Sequence, residues 1–66
     1  MELTVNGEPR TFDEPTHVRG LLTELGLADR PCAVEVNETL VPASSHQNHQ
    51  LHAGDRIEIV TLVGGG

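Results

Sequence analysis

Only one stretch of this chain repeats with a helical period. Val18, Leu21, Leu22 and Leu25 fall at i, i+3, i+4 and i+7 and make one apolar face. Elsewhere the apolar residues alternate with polar ones, or run together as they do in strands. One helix can cover one face of one sheet. Across 66 residues that pairing is also about all the chain can build, since a domain this small buries only roughly 60% of the surface its unfolded form exposes. A scaffold with an enclosed catalytic cleft does not fit, and independent catalysis is not expected.

Local signals place the elements. Thr16 is the expected N-cap of the helix. Gly26 stands where a left-handed C-terminal residue is needed, with Leu27 folding back as the hydrophobic contact. Gly20, inside the helix, costs about 1 kcal/mol against alanine, so either its face is unimportant or another part of the chain packs close there. Before the helix, Glu2-Leu3-Thr4-Val5 alternates and meets Asn6-Gly7, the strongest short hairpin signal. The return strand is predicted over Arg10 to Phe12, with Pro9 at its start and Phe12 as its apolar anchor.

After the helix, Ala33-Val34-Glu35-Val36 alternates, Asn37-Glu38 turns the chain, and a short Leu40-Val41 strand ends at Pro42. Ala43 to Gln50 is polar and poorly specified, with Leu51 its only core anchor. Gly54-Asp55 then leads into Arg56 to Val63, the strongest strand. Ile57 and Ile59 lie on one face of it and Val60 and Leu62 on the other, so its end is apolar on both sides or contains a bulge. The order is strand, strand, helix, strand, short strand, long strand. This predicts an α+β fold, a mixed sheet of four to five strands with one main helix. The last strand belongs in the interior beside the first, and a ubiquitin-like β-grasp is the compact arrangement that satisfies these demands. One domain is expected, with residues 1–63 as the globular body and 64–66 as a flexible glycine tail.

Charge narrows the partners. Ten acidic residues stand against four basic ones, all arginine, for a net charge of -6. Nucleic acid and anionic membranes are disfavoured, whereas a basic protein surface suits such a chain. The single cysteine, Cys32, excludes an internal disulfide framework and four-thiolate metal or iron–sulfur sites, which fits a reducing cytoplasm. No leader and no membrane span are expected.

The glycines Gly64, Gly65 and Gly66 are the most informative candidates. They read either as a frayed end or as an arm that threads a narrow channel in another protein, where the lack of Cβ permits close approach. On the second reading Gly66 supplies a reactive carboxylate. A carboxylate becomes an electrophile once adenylated, yet the chain has no lysine and no phosphate-binding loop. ATP would therefore be used by a partner enzyme, and the chain itself is expected to bind no cofactor. Val60, Leu62 and Val63 read as buried strand or as an apolar patch that seats a partner. Glu58 and Glu35 read as solvent-facing or as an acidic docking face. His46, His49 and His52 read as a solvated loop before they read as a metal site, and His17 as a surface residue. Cys32 reads as a half-buried structural thiol.

Taken together, Val5-Asn6-Gly7, the Leu21-Leu22 helix, Ala33-Val34-Glu35-Val36-Asn37, Val41-Pro42, Leu51, the run from Gly54 to Val60 and the last glycines resemble the ThiS family over essentially the whole chain. Glu38 stands where many relatives of that kind have glycine. The resemblance implies a sulfur carrier protein of thiamine biosynthesis, a co-substrate and not an enzyme. A ThiF-like enzyme would adenylate the Gly66 carboxylate, and a persulfide donor would convert it to a thiocarboxylate. A ThiG-like thiazole synthase would then take the sulfur. The requirement of that family falls on Gly65 and Gly66, with which Gly64 is compatible. The small subunit of molybdopterin synthase shares the same carrier chemistry and is the alternative. A ubiquitin-like modifier and a plain interaction module are the others.

Overall fold

The computed structural model describes residues 1–13 and 15–62. Its architecture follows from where the strongest apolar alternation can be buried. Ile57 and Ile59 are buried while Arg56, Glu58 and Val60 are exposed. The strand that carries them, β5 (Arg56–Thr61), lies in the middle of a sheet that also contains β1 (Glu2–Val5), β2 (Glu8–Thr11), β3 (Cys32–Val36) and β4 (Thr39–Val41). The spatial order is β2-β1-β5-β3-β4, with β1 and β5 parallel and the other neighbours antiparallel. Helix α1 (Val18–Glu24) packs Val18, Leu21 and Leu22 into a core with Leu3, Val5, Val34, Val36, Val41, Leu51, Ile57 and Ile59. This is the expected ubiquitin-like β-grasp.

Both hairpins close through two-residue turns in which both central residues have positive φ. Asn6 and Gly7 (50° and 82°) join β1 to β2, while Asn37 and Glu38 (50° and 70°) join β3 to β4. Such mirror-image turns match the strand twist and favour Asn-Gly. The helix ends as its sequence dictates. Gly26 has φ 74°, the Leu27 N–H donates to the Leu22 carbonyl at 2.8 Å, and the Gly26 N–H donates to the Thr23 carbonyl at 3.1 Å. These are the paired bonds of a glycine-terminated helix.

Two local expectations are corrected and one open alternative is decided. The second strand is Glu8–Thr11, not Arg10 to Phe12. Phe12 lies beyond it, half-buried against the core, and exchanges main-chain bonds with Met1. The helix N-cap is His17, whose Nδ1 accepts from the Gly20 N–H at 3.0 Å. Thr16 instead places Oγ1 where a Cβ on Gly20 would have to sit, which is why that helical position takes glycine. The end of the last strand contains no bulge, since the β3–β5 register runs unbroken from Val36↔Ile57 to Cys32↔Thr61.

The polar stretch after Pro42 has a structural task. A 3-10 turn (Ala43–Ser45) brings the His46 and His49 carbonyls against the start of α1, where they accept from Arg19 N–H (2.8 Å) and Val18 N–H (3.0 Å). With Gly20 on His17 Nδ1 and Leu21 on the His17 carbonyl, the first four helical N–H groups all have partners.

Glu38 holds a backbone conformation that an L-residue with a Cβ adopts at a cost, and its contact with Arg56 Nη2 at 3.4 Å is exposed. Glu38→Gly should therefore stabilise the fold by about 0.5–1 kcal/mol, the relieved strain being partly offset by glycine's larger unfolded-state entropy. Urea unfolding monitored by circular dichroism would read this as a raised midpoint with unchanged slope.

Candidate functional site

A sheet with one helix has one uncovered face. Strand parity puts Arg56, Glu58 and Val60 of β5, Ala33 and Glu35 of β3 and Leu40 of β4 on it. Among the described residues three large apolar side chains are exposed: Leu40 at 62%, Val60 at 60% and Leu62 at 50%. Val60 and Leu62 thus contribute nothing to the core and form an outward apolar strip along the end of the last strand. The sequence left burial and exposure open for these residues, and the structure gives exposure.

Beside the strip lie two carboxylates. Glu35 and Glu58 are directly opposite each other in the β3–β5 register, and Leu40 stands across from Glu35 on the other side. Both glutamates are exposed, and neither is in an ion pair among the described residues. Like charges directly opposite on neighbouring strands repel. Among the described residues no ion pair offsets this repulsion, whereas a basic group brought by a partner would. Val63, Gly64, Gly65 and Gly66, the other residues singled out for docking and tail chemistry, lie outside the described residues.

The end of β5 is held by a side chain that sequence reasoning missed. β1 pairs with β5 only through Thr4 and Val5 before it turns into the hairpin. Asn6 then takes over. Its N–H donates to the Ile57 carbonyl at 2.9 Å, its Nδ2 donates to the Ile59 carbonyl at 3.1 Å, and its Oδ1 accepts from the Ile59 N–H at 2.7 Å. The side-chain amide acts as one more peptide unit of the ladder. At the other end of β5, Asn37 N–H donates to the Arg56 carbonyl at 2.7 Å and Asn37 Oδ1 accepts from the Arg56 N–H at 2.9 Å. No local signal could reveal the first clamp, because its partners are 53 residues apart.

The remaining candidates are structural. His46, expected on a solvated loop, is buried, and its Nε2–H donates to the Val41 carbonyl at 3.1 Å. His49 is half-buried and His52 exposed. Among the described residues no group of three or more His, Cys, Asp or Glu side chains could hold a metal ion. His17, expected at the surface, is the half-buried helix cap. Cys32 Sγ lies 3.4 Å from the Arg30 carbonyl and 3.9 Å from the Leu27 carbonyl, partners that offer no base. No described helix is long and apolar enough to cross a membrane.

Comparison with known proteins agrees with this geometry. The ThiS family model matches residues 3–66. The crystal structure of the thiamine biosynthesis protein ThiS from Geobacter metallireducens superimposes with a TM-score of 0.83 at 34% identity, covering all of both chains. A thiazole synthase of Paramagnetospirillum magneticum is 46% identical over 66 residues, although the chain spans only 20% of that protein's length. A second thiazole synthase, from Magnetococcus marinus, is 38% identical over the same residues and again five times longer, at 20% coverage. The ycf40 protein of Porphyra purpurea is 35% identical, with 93% of its length covered.

Asn6→Gly keeps the positive φ of the turn and removes the amide, and since the strain it relieves partly offsets glycine's larger unfolded-state entropy, its cost reports chiefly the clamp on Ile59. Two lost bonds to partly buried main-chain groups should destabilise the fold by about 2 kcal/mol in chemical denaturation. Hydrogen exchange should show the Ile59 amide losing the most protection.

Proposed function

The chain belongs to the ThiS family, and from that premise we propose that it is a sulfur carrier of thiamine biosynthesis, a protein co-substrate acting in the cytoplasm as one carrier domain. In this reading residues 1–63 are the body and Gly64, Gly65 and Gly66 the arm. A ThiF-like enzyme uses ATP to adenylate the Gly66 carboxylate. The outer sulfur of a persulfide donor then displaces AMP to form an acyl disulfide, and a thiol reductant cleaves the S–S bond, leaving the Gly66 thiocarboxylate and a disulfide on the donor side. A ThiG-like thiazole synthase takes that sulfur into the thiazole ring and returns the carboxylate. The chain binds no cofactor of its own.

One observation carries this reading. The central strand is anchored on both edges and buried on one face, and it ends with Val60 and Leu62 exposed on the other. An apolar strip at the end of a rigid strand supports a docking role for Val60, Leu62 and Val63, since it would seat the body while the glycines reach a buried site. Glu58, opposite Glu35, supplies the charge complement to a basic partner surface. The family assignment favours thiamine over the molybdopterin alternative.

Intact mass after incubation with ATP, a ThiF-like enzyme and a sulfur donor tests the carrier chemistry. The expected result is a gain equal to one oxygen replaced by sulfur, absent when Gly66 is deleted. No gain with an enzyme active on another carrier would overturn the reading. A second measurement addresses docking. With a net charge of -6, association with the adenylating enzyme should weaken as ionic strength rises, and Glu58→Gln should flatten that dependence. A salt-independent affinity would assign docking to the apolar strip alone.

A further inference from the structure

The hydrogen bonds of β5 alternate. Even-numbered residues address β3, as in Leu62 N–H to the Pro31 carbonyl (2.9 Å) and Asn37 N–H to the Arg56 carbonyl (2.7 Å). Odd-numbered residues address the β1 side: the Asp55 carbonyl accepts from Thr4 N–H at 3.0 Å, the Ile57 carbonyl accepts from Asn6 N–H, and Ile59 is held by the Asn6 amide. Thr61 is next in this series. β1 has already turned away and Asn6 reaches only to Ile59, so the Thr61 N–H and C=O face the β1 side with no partner among the described residues. The middle strand of the sheet thus has one open edge position, at the end that leads toward the glycines. Beside it is a pocket of about 330 Å³. Val5, Leu25, Leu27 and Ile59 give it an apolar floor, and Glu8 and Arg10 line it with charge.

We propose that an extended segment of the thiazole-forming enzyme adds to the sheet along this edge. It would lie in line with β1 beyond Asn6, exchange main-chain hydrogen bonds with Thr61, and insert one apolar side chain into the pocket. Strand addition of this kind takes affinity from the backbone and specificity from the neighbouring pocket. It would also draw the continuation of β5 straight into the partner, in the direction its sulfur must travel. The occupant follows from two facts. Relatives 46% and 38% identical to this chain carry the corresponding stretch within a thiazole synthase polypeptide. A second copy of the chain is opposed by charge, because each copy carries -6.

The test removes one N–H. Thr61→Pro deletes the edge donor without touching the bonds to β3, and proline is tolerated at an open strand edge; Thr61→Ala keeps the donor and removes the side chain. Binding of each purified chain to the thiazole synthase is measured by calorimetry, with melting curves to establish that each is folded. Thr61→Pro should bind about tenfold or more weakly than wild type, and Thr61→Ala within about twofold of it. Should Thr61→Pro fail to fold, a synthetic chain with an ester at the Thr61 amide removes the same N–H. Equal binding by the wild type and the donor-deficient chain would overturn the proposal. So would a wild type that does not bind the synthase, or one that forms dimers which Thr61→Pro dissolves. The proposal rests on the carrier reading, which the mass gain reports separately: a Thr61→Pro chain that still acquires sulfur yet binds the synthase weakly supports both.

Discussion

Everything in this fold depends on β5 being paired on both sides. β1 and β2 form one hairpin, β3 and β4 another, and no hydrogen bond of either ladder joins them until the last strand enters between. Its pairing with β1 is parallel and spans more than 50 residues of sequence, a closure whose entropy must be met before any bond rewards it. The reward is concentrated in Ile57 and Ile59, which meet the helix face and both neighbouring strands in the core. Val18, Leu21 and Leu22 of the helix are buried in the same cluster.

The two clamps on β5 are variations of one device. Each hairpin turns at an asparagine with φ 50°, and each asparagine has its side-chain oxygen on a main-chain N–H of β5, at Ile59 and at Arg56. A left-handed asparagine is favourable in the turn for local reasons. Its amide is then free to satisfy a neighbouring strand where the ladder would otherwise stop. The same residue therefore specifies the turn and the register of the sheet's centre.

What was legible in the sequence was local. The helical period, the glycine end of the helix, both turns and the central placement of the last strand follow from nearest-neighbour chemistry and from the burial of Ile57 and Ile59. What was not legible was supplied across the chain. The helix N-terminus takes two of its acceptors from the His46 and His49 carbonyls and two from His17, so only half of its capping lay in a residue beside it, and the role of the polar stretch around His46 was hidden. The candidate site shows the same division. Parity alone put Val60 and Leu62 opposite Ile57 and Ile59; that they are exposed required knowing that the single helix covers the other face. The Asn6 clamp and the open edge at Thr61 emerge only when β1 is seen to stop short.

The late position of β5 in the chain has a biosynthetic consequence. A polypeptide broken off before Arg56 possesses two hairpins and a helix with no strand to join them, and its core lacks Ile57 and Ile59. The stretch that completes the core also leads directly to the glycines proposed to react. Loss of β5 is also loss of the glycines beyond it, so every chain too short to close the sheet also lacks the residues proposed to react.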